Sequence, residues 1–217
     1  MDSAVSPTKD RILDCAEELF AQHGFAGART RDIAERAGVN ISTLHFHWNS
    51  KEALYTTVHK RQIARRAQLA EEVLAAFARA MGASDRWQLI SQAIADLLLD
   101  FFRRYPQAAR LDSYRLLDKT APDTMFEERH ALLFSVAEQL RNFLLKELPP
   151  TADVALNILS VSALVREYFV SPEAFGLLVG ETDQDRVEAR LHRHVQQHVL
   201  RLLQMLEPPH PSTPTEG

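Results

Sequence analysis

Apolar residues recur every three or four positions from about residue 8 to residue 206, and no stretch of strand length alternates apolar with polar. That spacing turns one stripe of a helix toward a core, so the chain reads as all-α. Glycine is scarce, at 7 of 217 residues, and falls where the pattern breaks, as at Gly24, Gly38, Gly82 and Gly180. About nine helices are predicted, over residues 8–23, 30–37, 40–47, 50–80, 85–104, 107–118, 123–147, 151–170 and 183–206. A short turn or helix is predicted over 171–180. Thr30 and Ser50 each read as an N-cap, the third helix reads as starting at Asn40, and Gly24 and Gly38 read as helix stops. The segment 207–217 holds four prolines and little to bury, which predicts disorder.

No apolar run approaches the roughly 20 residues of a membrane span, and MDSAVSPTKDR has no apolar signal core. The expectation is a cytoplasmic protein with no membrane contact. The one cysteine, Cys15, lies between Ile12 and Leu19 on an apolar helix face, which is the place of a small buried residue. It excludes an internal disulfide and a multi-cysteine metal site. The net charge of −4 argues at first against nucleic acid, but residues 1–66 carry 10 Lys and Arg against 8 Asp and Glu. Affinity for nucleic acid follows the field at the contact face and not the total.

The stretch TRDIAERAGVNISTLHFHW, residues 30–48, constrains function most. Two short helices flank a turn at Ala37-Gly38-Val39-Asn40, the spacing of a helix-turn-helix. Ala34 is small where the second helix must cross, and Gly38 suits a left-handed turn. Ile33, Ala37, Val39 and Leu44 supply a shared core. Asn40, Ile41, Ser42, Thr43, His45, Phe46 and His47 point outward, as polar groups and rings suited to base edges and phosphates. A plain helical hairpin with a Gly turn would show the same spacing.

The surroundings carry more. RILDCAEELFAQHGFAGARTRDIAERAGVNISTLHFHWNSKEALY, within about residues 8–60, resembles the TetR/AcrR family of transcription regulators. The resemblance implies a three-helix DNA-binding domain over 1–52, a helical effector-binding and dimerisation domain over 53–206, and a tail over 207–217. It departs from the family at two positions. His45 stands where a phosphate-contacting Tyr is usual, and Trp48 where a core Phe is usual. Trp48 should fill that core; His45 is a shorter, titratable donor.

By the same resemblance Thr30 and Lys51 bind phosphate, and each opens a helix, where free N–H groups and the dipole favour an anion. Arg31 has the reach and the fork for a guanine edge. Thr43, His45 and His47 are expected on phosphate or sugar, and Ile41, Ser42 and Phe46 on bases. His45 and His47 lie about 200° apart around a helix, which is poor for sharing a metal ion. His194 and His198 are spaced i, i+4 but lack an evident carboxylate or cysteine partner, and no metal or cofactor is expected.

One such module reads few bases, so a homodimer on a palindromic double-stranded operator is expected. The resemblance implies pairing through the helices over 151–170 and 183–206. The latter carries Val187, Leu191, Val195, Val199, Leu202 and Leu206 in one stripe, which could equally be core within one chain. The larger region is expected to enclose a small-molecule pocket lined by Phe101, Phe102, Tyr105, Tyr114, Phe126, His130, Phe134, Arg166 and Tyr168. The rings suit an apolar or amphipathic effector, with Arg166 or His130 available to an acidic group. An enzyme would need a Gly-rich phosphate loop, a Ser elbow or a His-Glu metal motif, and none is found. A ligand-free architectural or cell-division factor would share the same head. The expectation is therefore a DNA-binding repressor released by a small molecule, and not an enzyme.

Overall fold

The computed structural model describes residues 7–117 and 154–204. Among these residues the secondary structure is helical throughout: α1 (Pro7–Gly27), α2 (Thr30–Arg36), α3 (Ile41–His47), α4 (Lys51–Ala80), α5 (Arg86–Arg104), α6 (Gln107–Leu117), α7 (Val154–Val170), α8 (Pro172–Val179) and α9 (Gln184–Gln204). The all-α expectation holds for them. The helix predicted over 123–147, the tail 207–217, and Phe126, His130, Phe134 and Leu206 lie outside the described residues.

The ends of the first helices follow local chemistry, with two corrections. Gly24 takes φ 69, as expected of a stop, but the chain resumes one more helical turn to Gly27. The Ala28 N–H donates to the Gly24 carbonyl at 3.3 Å, which closes that turn. Thr30 is the first helical residue and not the cap; Arg29 caps α2 with extended backbone, and its carbonyl accepts the Ile33 N–H. Asn40, where the third helix is expected to start, is its cap, its Oδ1 accepting the Thr43 N–H at 2.7 Å, and Ile41 is the first helical residue. Ser50 caps α4 in the same way, its Oγ accepting the Ala53 N–H at 3.1 Å.

The chain divides into two compact units. The first holds α1–α3, α4 as far as Gln68, the end of α5 from Phe101, α6, and residues 166–171. The head expected over 1–52 lies inside it. Its core contains Ile12, Leu13, Ala16, Leu19, Phe20, Ile33, Ala34, Ala37, Leu44, Trp48, Leu54, Tyr55 and Val58, together with Leu111 from α6. Trp48 is buried, as its place in the sequence predicts. Phe20, Phe25 and Tyr55 pack ring on ring, with Phe20 and Tyr55 edge to face at 5.0 Å.

Charges complete this unit. The Glu17 carboxylate of α1 is 5% exposed and accepts from Gln62 and Arg65 at 2.7 Å each, and from Arg61, all on α4. Arg61 also reaches Asp14 at 2.8 Å. Next along α4, Arg66 pairs with Asp112 of α6 at 2.6 Å. The Tyr114 hydroxyl donates to the Gln22 carbonyl at 3.0 Å, joining α6 directly to α1.

The second unit holds the rest of α4 and α5, α7 to Val165, α8 and α9. Val187, Leu191, Val195 and Val199 of α9 are all buried within the single chain, and Leu203 joins them. Of the two uses open to that stripe, the structure shows core. Leu202 is half-buried. His192 of α9 meets Asp96 of α5 at 2.6 Å. The outer face of α9 is polar, with Arg190, Arg193, His194, Gln197 and Arg201. Exposed leucines remain on α7, at Leu156 and Leu159, and on α8, at Leu177 and Leu178.

Candidate nucleic-acid interface

Gly38 makes the crossing of α2 and α3 possible. It takes φ 63, a conformation that strains any residue with a Cβ. The Gly38 N–H donates to Glu35 and the Val39 N–H to Ala34, at 3.0 Å each, so the end of α2 is closed by the turn itself. The Arg11 guanidinium on α1 donates to the Ala37 carbonyl at 2.7 Å and holds the turn from below. Leu44 is fully buried, which fixes the roll of α3. The opposite side of α3 then faces water.

On that side Ser42, His45 and Phe46 are exposed, and Phe46 is 83% exposed. One exposed phenylalanine ring is ordinary by itself, but on the outward face of a short, capped helix it is available for apolar contact. Phe46 packs edge-on against His47, and His47 against Trp48, so the rings form a row. Ile41 is half-buried and packs partly against the head core. Thr43 donates its hydroxyl hydrogen to Asn40 at 2.8 Å; a phosphate contact by that hydroxyl requires the bond to break.

Thr30 and Lys51 open α2 and α4, and Arg31 is exposed in the first turn of α2. The Lys51 ammonium lies 4.5 Å from the centre of the Phe25 ring and donates to the Ala26 carbonyl at 3.4 Å. It is thus held near the helix start before any anion arrives. Beside it, the Glu52 carboxyl is held below its ordinary value by its own backbone N–H and the Ser50 hydroxyl. A second lysine, Lys9 of α1, lies over the Trp48 ring at 5.7 Å. Sequence reading missed Lys9, because only the fold brings the start of α1 to the end of α3.

The residues predicted for an effector pocket are partly gathered. Phe101 packs on Phe102 and Tyr105, Phe102 stacks on Phe169, and Phe169 meets Tyr168, at ring separations of 4.9–5.4 Å. The Arg65 guanidinium lies 4.1 Å from the centre of the Tyr105 ring, and Arg66 lies over Phe101. Arg166 is half-buried. Tyr114 is exposed and spends its hydroxyl hydrogen on α1. Among the described residues no group of three or more His, Cys, Asp or Glu could hold a metal ion, and no helix is long and apolar enough to cross a membrane.

Residues 12–58 match the family described as bacterial regulatory proteins, tetR family. The chain is 37% identical over 114 residues to the HTH-type transcriptional regulator RutR of Escherichia coli K12, covering 52% of this chain and 50% of RutR. It is 36% identical over 58 residues to UidR of the same organism, covering 27% of this chain and 30% of UidR. The match thus spans about half the length of the first of these relatives and less of the second. A transcriptional regulator from Rhodococcus sp. Rha1 shares the fold with a TM-score of 0.60 at 18% identity, covering 92% of this chain and 97% of that one. PfmR of Thermus thermophilus, a TetR family transcriptional regulator, does so with a TM-score of 0.58 at 20% identity, covering 91% and 97%. The matched segment is the one that builds the capped, steeply crossed pair α2–α3 and its core, and on this ground residues 12–58 form a DNA-binding head of the tetR family of bacterial regulatory proteins.

Proposed function

We propose that the chain is a transcription repressor that binds double-stranded DNA with α3 in the major groove and is released by a small-molecule effector. The observation that carries the DNA reading is the outward face of α3, where Phe46 is held in water beside Ser42 and His45 on a helix fixed by Leu44. Thr30 and Lys51 meet phosphates at helix starts. Arg31, Ile41, Ser42 and Phe46 read bases, and Thr43, His45 and His47 contact the backbone. One such head buries too little surface for high specificity, so the acting species is a homodimer on a palindromic operator. The pairing faces are the outer sides of α7 and α9, because the inner stripe of α9 is used within the chain. The aromatic cluster of Phe101, Phe102, Tyr105 and Tyr168 supports an apolar or amphipathic effector, and the half-buried Arg166 is assigned to an acidic group on it.

The test is selection of duplexes from a random library by the full chain, followed by footprinting. Enrichment of an inverted repeat with half-sites spaced by a whole number of helical turns supports the reading. Absence of any enriched sequence overturns it.

A further inference from the structure

We infer that Lys9, on α1 and outside the helix-turn-helix, is an additional backbone contact of the DNA-binding surface, seated by the Trp48 ring at the end of α3. This rests on the DNA-binding reading above and extends its contact face by one phosphate per head.

Three observations support it. The first is placement: Lys9 Nζ lies 5.7 Å from the Trp48 ring centre, and the Trp48 ring lies 5.7 Å from that of His47, an expected backbone contact. The second is anchorage. Trp48 Nε1 donates to the Thr57 hydroxyl at 3.0 Å, and that hydroxyl donates to the Ala53 carbonyl at 2.7 Å. The indole is therefore fixed to α4, and a cation resting on it is fixed relative to both α3 and α4. The third is parallel construction. Lys51, the other lysine at this face, is likewise held over a ring, that of Phe25, at 4.5 Å. Trp48 follows the end of α3 and Lys51 opens α4, so one ammonium rests on a ring of the α3–α4 connection and the other extends from its far end.

The physical gain is pre-organisation. A free lysine loses rotamer freedom when it meets a phosphate, whereas one already resting on a ring loses less. An ammonium is a point charge with three donors and no acceptor, which suits a phosphate oxygen and carries no base identity. The alternative is that Lys9 only stabilises α1 through the ring.

The test measures binding of the full chain to two duplexes, the one it selects from a random library and a scrambled one, across a salt series. Lys9→Met keeps most of the stem on the indole and removes the charge; Lys9→Arg keeps the charge. The expected result is that Lys9→Met weakens both duplexes by the same factor, about five-fold per head near 0.15 M salt, and lowers the salt slope by about one ion per head. Lys9→Arg should restore the slope. Thermal unfolding of the same variants separates the two roles. An unchanged slope in Lys9→Met, with or without a lowered melting temperature, overturns the inference while leaving the DNA reading intact. Failure of the wild type to bind any duplex overturns the DNA reading, and this inference with it.

Discussion

At the residue scale, the head offers two kinds of charge that should respond differently to removal. Lys51 stands at the start of α4 over Phe25, and in the proposed complex a phosphate oxygen would meet both the ammonium and the free N–H groups of the helix. Lys51→Ala should weaken selected and scrambled duplexes alike and reduce the salt dependence by about one ion per head. Arg31 is exposed, and its fork fits a guanine edge. Arg31→Ala should cost about 1–3 kcal/mol on the selected duplex, much less on random DNA, and relax preference at one base pair per half-site. Competition against a library of singly substituted duplexes reads this pattern; equal losses on all sequences would make Arg31 a backbone contact. Cys15, expected to be buried, is half-buried at the edge of the head core and gives a separate check. Burial first, then the neighbouring Glu18 carboxylate, raises its pKa above the ordinary thiol value. A raised pKa leaves less thiolate at a given pH, so labelling by iodoacetamide at pH 8 should be slower than for an exposed cysteine. Labelling as fast as in the urea-unfolded chain would contradict the burial.

At the scale of elements, short-range chemistry makes α2 and α3 readable. Gly38, Ala34, Leu44 and the Asn40 cap act within a few residues of one another, and each sits as its type demands. Thr30 lies one position past the cap that its type suggests, because Arg29, with no side-chain bond to give, still closes the helix through its carbonyl. Gly38→Ala should destabilise the head by about 1–2 kcal/mol through the left-handed backbone, since open space surrounds the position and no clash contributes. Gly38→Asn should cost less, because Asn tolerates that conformation; equal costs for the two would point to something other than strain. The stripe on α9 shows the limit of periodicity. Val187, Leu191, Val195 and Val199 mark a buried face, but a pattern on one helix does not say whose atoms bury it. Leu191→Asp should therefore unfold the second unit instead of yielding a folded monomer. Leu156→Glu with Leu159→Glu, on an exposed face, should leave helicity intact and shift sedimentation toward the monomer. Native-like circular dichroism in Leu191→Asp would return that stripe to the pairing face.

At the scale of the whole chain, the head is finished by residues far from it in sequence, and no local pattern makes this legible. The sequence places Leu111 within a predicted helix, and nothing local says that it joins Ile12, Phe20 and Leu44 in one core. The charge network is equally non-local: Glu17 gathers Arg61, Gln62 and Arg65 from α4, while Arg66 and Tyr114 tie α6 to α4 and α1. Removing the Glu17 carboxylate would leave two half-buried guanidinium groups without that acceptor, whereas removing Leu111 opens a cavity and leaves those ion pairs in place. The second change is the cleaner probe. The two tryptophans, Trp48 and Trp87, fall one in each unit, so a Trp87→Phe background makes Trp48 the sole emission reporter of the head. In that background Leu111→Ala should lower the stability reported by Trp48 in urea by about 2–4 kcal/mol, the cost of a large buried truncation. Operator affinity should fall with it once the head is partly unfolded at the working temperature. A Trp48 transition that keeps its midpoint in Leu111→Ala would mean that α6 only rests against the head.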